Sequence, residues 1–539
     1  MLTEAFTPKL ITAFREGYRA SDLRADALAG LTVAVVALPL AMALGIASGA
    51  SPREGLVTAV VAGFLISALG GSRVQIGGPT GAFVVVVAGV IALHGFDGLL
   101  LATLMAGVIL IVAGYSGLGR LMKFVPMPVV TGFTAGIAVI IASSQVGDFL
   151  GLRAGPVPIN FVDKWGVYFR ALATVNAAAV YLGAATLGLI ILLRRFVPRF
   201  PAYLIAIIGA TAAATLLDLP VDTVRDRFPL MPSGLPLPHL PHASLGLARD
   251  VMPSAFVIAF LAGIEALLSA TVADGMTGRR HRSGQELVGM GVANIFSAFG
   301  GLPATGAIAR TATNIRAGAR TPMAGIFHAL FLLAFVLAAG DLLATVPMAA
   351  LAAVLLMVAW GMSEADRFVT LARTDAGERA LLVLTFLLTV FVDLTVAIGV
   401  GVTLAALFFM QRMSEHAGLA AVDAAEEPGL RDQLPDGVEV FRFTGPMFFG
   451  VASEMLEGLR RAGERPRAII LRMEQVPFVD ATGANALETF VRQAHGSGTE
   501  IWMCGLQRQP LQFLMRMEPR YAGAHRALTW QAVLKKLQK

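Results

Sequence analysis

Apolar segments recur along most of this 539-residue chain, and they limit its possible folds more than any other feature. Roughly fourteen lie between residues 27 and 413, and several exceed the ~20 residues that a helix needs to cross ~30 Å of hydrocarbon. They are centred near residues 38, 62, 86, 106, 140, 184, 209, 262, 292, 310, 330, 352, 388 and 404. Charged residues make up only 14% of the chain, so the sequence predicts a polytopic α-helical membrane protein.

Basic residues are concentrated in the loops that follow even-numbered segments, such as the loops with Arg194 and Arg195 and with Arg279, Arg280 and Arg282. With fourteen spans, the positive-inside rule places these loops and both chain termini in the cytoplasm. The net charge of +6 then reflects membrane topology, and we expect no nucleic-acid partner. The polar start of the chain has no pattern typical of a signal peptide.

Two interrupted segments occupy equivalent places in the two halves of the apolar region. The polar stretch 218–250 separates seven segments from seven more, which gives repeats of about 27–217 and 251–413. The third segment of each half reads GGSRVQIGGPTGAF (70–83) or GGLPATGAIAR (300–310). An odd number of spans inverts the second half, and matched interruptions in inverted halves indicate a secondary transporter.

Glycine and proline in these stretches free backbone N–H groups at the start of each half-helix. Because a helix start carries the positive end of the dipole, such groups favour an anion. The alternative is that glycine and proline only bend packed helices. The candidate anion site comprises Thr80, Gly81, Ala82, Thr305, Gly306, Ala307, Ile308 and Arg310.

Two charged residues lie where a bilayer is dry. Glu265 is near the middle of the eighth segment, and Arg310 is one turn into the second half-helix. Each costs roughly 2.5–3.5 kcal/mol at the bilayer centre unless it faces protein or water. Glu265 and Ser269, spaced i and i+4, share a helix face and are candidates for ion coupling. A structural ion pair between Glu265 and Arg310 is the alternative.

The pattern changes after residue 436 to that of a small α/β domain. VEVFRFTG, RAIILRM and TEIWMCG are typical of strands, and ANALETFVRQAH and WQAVLKKLQ of helices. Asp480 and Thr482 lie at the start of the first of these helices. They are candidate regulatory residues, although both are also ordinary residues for a helix start.

The chain resembles transporters of the sulfate permease (SulP) family that end in a STAS domain. The motifs that carry the resemblance are LPLAMALGIASG, GGPTGAF, IEALLSATVADGMTG, GGLPATGAIARTATNIRAG, VAWGMSEA and FVDATG. The sequences of these motifs are most similar to those of the bacterial C4-dicarboxylate permease branch. The resemblance implies core and gate domains, an elevator-like motion and a homodimer.

Residues carried over from the family add the first helix to the anion site. Pro39 matches the family's helix-breaking proline, and Leu40 and Leu44 stand where many members have an amide and an aromatic residue. The sodium-coupled members have an Asp–Thr pair where this chain has Glu265 and Ser269, which favours protons as the coupling ion. Thr482 matches a hydroxyl position that is phosphorylated in soluble STAS proteins.

These observations predict a 14-span membrane protein of 7+7 inverted repeats with a cytoplasmic STAS domain. The predicted parts are a cytoplasmic segment (1–26), the transport domain (27–413), a linker (414–436) and the STAS domain (437–539). We expect a proton-coupled transporter of a small anion, namely a C4-dicarboxylate, sulfate or bicarbonate, in a bacterial cytoplasmic membrane. An anion channel, an exchanger without proton coupling and an anion sensor that signals through STAS are alternatives. We expect no enzymatic activity, metal or cofactor, but a possible cytoplasmic partner at the STAS domain.

Overall fold

The computed structural model divides the chain into two compact units, Met1–Val402 and Thr403–Lys539. It describes residues 6–120, 126–158, 160–197, 201–228, 244–392, 394–415, 418–421, 434–448, 466–516 and 524–538. Most of the predicted linker 414–436 lies outside these residues. The first unit holds the apolar helices up to residue 402, and the second holds the rest of the last apolar helix and a mixed sheet with its helices.

Each predicted apolar segment of the first half falls on a helix. The helices are α1 (Lys9–Arg15), α2 (Ala20–Ala47), α3 (Pro52–Leu69), α4 (Ala82–Ser116), α5 (Met127–Leu150), α6 (Phe161–Ala171), α7 (Ala177–Phe196) and α8 (Ala202–Leu216). Helix α4 carries two predicted spans, because 35 residues rise about 52 Å and the chain turns at Gly95, where φ is 70°.

The second half repeats this order after the short helix α9 (Val224–Arg227). Its helices are α10 (Leu245–Thr277), α11 (Ser283–Ser297), α12 (Ile308–Arg316), α13 (Met323–Ala344), α14 (Met348–Met362), α15 (Ala365–Ala372), α16 (Ala376–Phe391) and α17 (Leu394–Glu415). Among the described residues, nine helices are long and apolar enough to cross a membrane. Helix α12, the predicted half-helix, has nine residues and is too short to be one of them.

The membrane helices pack in two groups. Helices α2, α3, α4, α10, α11, α12 and α13 form the first group, and α5, α7, α8, α14 and α16 form the second. Small residues allow close approach inside the first group: a Cβ added to Gly107 on α4 would lie 2.7 Å from the Gly291 carbonyl oxygen on α11. Such contacts replace the hydrophobic driving force that lipid removes.

The C-terminal unit is a five-stranded sheet in the order β3-β4-β5-β6-β7. Its strands are β3 (Gly418–Ala421), β4 (Val438–Thr444), β5 (Ala468–Gln475), β6 (Glu500–Cys504) and β7 (Ala524–Ala527). Strand β3 is antiparallel to β4, and the remaining pairs are parallel. Helices α18 (Ala481–Gly496), α19 (Arg508–Arg516) and α20 (Trp530–Leu537) follow β5, β6 and β7. The three strands and two helices predicted for this region are confirmed.

Candidate functional site

Two short strands join the interrupted helices in the first helix group. Strand β1 (Gly77–Gly78) pairs antiparallel with β2 (Thr305–Gly306), with Gly77 opposite Gly306. The pair is extended by a hydrogen bond of 2.8 Å from the Ala307 N–H to the Ile76 carbonyl. Strand β1 precedes α4 by three residues and β2 precedes α12 by one, so the pairing brings the starts of α4 and α12 together.

Both helices begin where the sequence predicts a half-helix to start. Helix α4 follows Gly81 as its N-cap, and α12 follows Ala307. Among the described residues, no side chain caps either start. Two positive dipole ends with backbone N–H groups therefore meet at the strand pair, and this is the arrangement in which helix starts bind anions.

Glu265 approaches this point from α10. Its Oε2 accepts a hydrogen bond of 2.9 Å from Thr80 Oγ1, one residue before the N-cap of α4. On the same face, Ser269 Oγ donates to Thr311 Oγ1 at 3.1 Å, and Thr311 Oγ1 accepts the Ile76 N–H at 3.0 Å. Helix α10 therefore contacts both half-helices through the two side chains that the spacing predicted to share a face.

Arg310 is buried against β1 and does not pair with Glu265. Its side chain is 3% exposed, and its Nη2 donates to the Pro79 carbonyl oxygen. Among the described residues, no ion pair joins it to Glu265. The guanidinium group therefore lies beside β1, where its positive charge contributes to the electrostatic potential of the candidate site.

The predicted site residues differ in their exposure. Leu40, Thr80 and Glu265 are partly exposed, and Ile308 is 40% exposed. The others are buried: Pro39, Leu44, Gly81, Ala82, Thr305, Gly306 and Ala307. Helix α2, which carries Pro39 and Leu40, packs against α12. The accessible surface of the predicted site therefore comes mainly from Leu40, Thr80, Glu265 and Ile308.

Sequence reasoning missed two side chains of α12 that fix the first strand. Thr311 accepts the Ile76 N–H, and Asn314 Nδ2 donates to the Val74 carbonyl at 2.9 Å. Their signal is a run of polar residues after Arg310 in a chain that is otherwise apolar. The sequence does not show the strand pairing, so it could not identify the backbone partners of these side chains.

In the C-terminal unit, Asp480 is the N-cap of α18. Its Oδ1 accepts the Gly483 N–H at 2.7 Å, which is the ordinary role of an aspartate at a helix start. Thr482 is exposed in the first turn of the same helix. Within the described residues, no group of three His, Cys, Asp or Glu side chains is placed to hold a metal.

Comparison with known proteins identifies the family of the chain. The model of the sulfate permease family matches residues 23–385, and that of the STAS domain matches residues 431–518. The chain is 40% identical over 507 residues to YvdB of Bacillus subtilis (strain 168), whose name provisionally assigns it to sulfate transport; the match covers 93% of this chain and 94% of YvdB. It is 32% identical over 520 residues to the bicarbonate transporter BicA of Picosynechococcus, covering 92% and 91%.

The fold is also that of a solved anion transporter. The structure of murine Solute Carrier 26 family member A9 matches with a TM-score of 0.88 at 18% identity, covering all of this chain and 95% of that one. These matches confirm the predicted fold class, in which two inverted sets of helices precede a STAS domain. The chain belongs to the sulfate permease family.

Proposed function

We propose that this protein is a secondary active transporter that moves a small anion across a bacterial cytoplasmic membrane. The observation that carries the proposal is the meeting of two uncapped half-helix starts at the β1–β2 pair. Backbone N–H groups and the nearby Arg310 make this point positive, which opposes cations. The names of the similar proteins, which are sulfate and bicarbonate transporters, support the same class of substrate.

The substrate is proposed as a small oxyanion or carboxylate. Backbone N–H donors bind sulfate, bicarbonate and carboxylates through the same oxygen chemistry. The names of the relatives favour sulfate or bicarbonate, and the resemblance to the C4-dicarboxylate branch keeps succinate and fumarate as candidates. Thr80, which is partly exposed, and Ile308, which is exposed, border the two helix starts, so their size is expected to discriminate between these anions.

Proton coupling is proposed to run through Glu265. Its carboxylate is hydrogen-bonded to Thr80, and Thr80 borders the start of α4. An anion bound at this start meets the repulsion of an ionised Glu265 at close range. A proton on Glu265 removes this repulsion, so anion and proton favour each other's binding. Ser269, bonded to Thr311, links the same helix face to α12.

The two helix groups support an elevator-like motion. Both half-helices, Glu265 and the strand pair belong to the first group, so the site can move as one body against the second group. In this proposal the first group is the core domain and the second the gate domain. We also propose a homodimer with cytoplasmic termini, domain limits of 27–413 and 437–539, and a STAS domain with Thr482 available to a cytoplasmic partner.

Uptake into proteoliposomes tests the proposal. Purified full-length protein is expected to accumulate radiolabelled sulfate, bicarbonate, succinate or fumarate in a saturable way, driven by an acid-outside gradient. A large anion conductance without saturation would instead show a channel. Binding without movement of any of these anions would show a sensor, and exchange that ignores the pH gradient would show an uncoupled exchanger.

A further inference from the structure

Side chains of helix α11 form hydrogen bonds to the segments that lead into β1 and β2. Near its start, Glu286 is fully buried, and its Oε2 accepts the N–H groups of Gly71 at 2.7 Å and Ser72 at 2.8 Å. Near its end, Asn294 is also fully buried; its Oδ1 accepts the Ala304 N–H and its Nδ2 donates to the Ala304 carbonyl, both at 2.9 Å. Ala304 directly precedes β2, and residues 71–72 begin the stretch that leads into β1.

The strands themselves are too short to set their own register. Each contains two residues, and even a longer isolated hairpin is only marginally stable in water. Both strands also lie at a site that a ligand must enter and leave. Their positions must therefore be fixed by bonds from outside the pair, and α11 supplies such bonds on both sides.

Further bonds support the same segments. On α11, Gln285 Nε2 donates to the Leu69 carbonyl at 2.6 Å, and Ser297 Oγ donates to the Leu302 carbonyl at 2.5 Å. From α3, Thr58 Oγ1 accepts the Leu302 N–H at 2.6 Å. Polar side chains buried in an apolar helix cost free energy unless they are paired. Here their partners are the backbones that lead into the site.

We propose that Glu286 and Asn294 are positioning residues of the substrate site and that α11 fixes the register of β1 against β2. The two residues are eight positions apart, about 12 Å along the helix at 1.5 Å per residue. They act through the backbone of residues 71–72 and 304 and hold the two half-helix starts at a constant separation. This inference rests on the proposed transport of an anion at these starts.

The first test is transport kinetics in proteoliposomes with radiolabelled sulfate and bicarbonate as probes. Asn294→Ala removes both bonds to Ala304, so we expect KM to rise about tenfold, as for lost hydrogen bonds at a site. We expect Vmax per folded protein to stay within about twofold. Loss of fold alone would instead lower the active fraction and leave KM unchanged, so the two causes can be distinguished. Glu286→Gln keeps one acceptor oxygen, which can still take the N–H groups of both Gly71 and Ser72, so its KM should rise less than that of Glu286→Ala.

Thr103→Val is the matched control. Thr103 is fully buried on α4, and its hydroxyl donates to the Leu99 carbonyl of its own helix at 2.8 Å. The substitution therefore removes a buried hydroxyl that contacts neither β1 nor β2, and KM should not change. A wild-type KM in both Asn294→Ala and Glu286→Ala would overturn the inference while leaving the proposed transport intact.

Hydrogen exchange gives a second readout that does not depend on transport. In full-length protein in detergent, Asn294→Ala should speed amide exchange in residues 301–307, and Thr103→Val should not. If the wild type moves neither probe, the transport of sulfate and bicarbonate fails, and the exchange result alone decides the positioning role. Unchanged exchange in residues 301–307 of Asn294→Ala would overturn it.

Discussion

Gly306 is the residue where a single methyl group should disturb the site most directly. It lies opposite Gly77 in the strand pair, and α10 and Gln75 pack against it. A Cβ added at Gly306 would overlap the Gln75 amide nitrogen and lie 3.2 Å from the Ala266 Cα. Carbon atoms pack best at about 3.5–4.0 Å, so the strand pair, the amide or α10 must shift.

The size of the effect follows from this overlap. An extra methyl group in a packed core costs about 1–3 kcal/mol. If β2 shifts to relieve it, the N–H groups at the start of α12 lose their alignment with a bound anion. One or two weakened hydrogen bonds then raise KM about tenfold to a hundredfold in Gly306→Ala. The assay is initial-rate uptake of radiolabelled sulfate and bicarbonate in proteoliposomes.

A double substitution separates this cause from general destabilisation. Gln75→Ala removes the overlapping amide, so the double substitution Gln75→Ala/Gly306→Ala should bring KM most of the way back to the wild-type value, as expected for coupled neighbours. The matched control is Gly89→Ala on α4, because a Cβ there meets nothing within 4 Å. A KM within about twofold of wild type in Gly306→Ala would refute the reasoning, since it would show that β2 does not shift to relieve the overlap.

Two other substitutions or treatments test the wider structure. Burial and, to a smaller extent, the nearby Glu474 carboxylate raise the pKa of the Cys504 thiol to about 12, so the thiol stays protonated at neutral pH. A maleimide should therefore label the native protein slowly and the SDS-denatured protein fully. Asp26 is fully buried and accepts two N–H groups and a hydroxyl from Arg320 and Thr321. Asp26→Ala should cost about 3 kcal/mol and lower the melting temperature, whereas Asp26→Asn, which keeps an acceptor, should cost about 1 kcal/mol.

The helices could be predicted from the sequence because their signal is local. Each apolar segment is long enough or repetitive enough to stand out, and the motifs at 70–83 and 300–310 mark the breaks by their glycine and proline. The same holds for β4, β5 and β6. Their residues either alternate between apolar and polar or form a continuous apolar run, with turn residues on either side. Here composition and periodicity determine the element without help from the rest of the chain.

The contacts of the site could not be predicted, because they depend on pairing between distant residues. Nothing in either two-residue strand specifies that Gly77 lies opposite Gly306, since the register is supported from other helices. The partner of Arg310 was also open, and the structure gives it the Pro79 carbonyl and not Glu265. Glu286 and Asn294 carry a visible signal as polar residues in an apolar segment, but their backbone partners do not.

Glu265 is proposed to couple a proton to anion transport, and Glu265→Gln tests this coupling most directly. The amide keeps the shape of the side chain and can still accept the Thr80 hydrogen bond, but it cannot carry a proton on and off. Asp148→Asn is the matched control, because Asp148 lies on α5 of the second helix group and pairs with Arg227 at 2.8 Å.

The measurement is the steady-state accumulation of radiolabelled anion in proteoliposomes with an acid-outside pH gradient. We expect Glu265→Gln to bind the anion and exchange it for unlabelled anion, but to lose accumulation driven by the gradient. Wild type and Asp148→Asn should both accumulate. Accumulation by Glu265→Gln as steep as that of the wild type would contradict proton coupling through this residue.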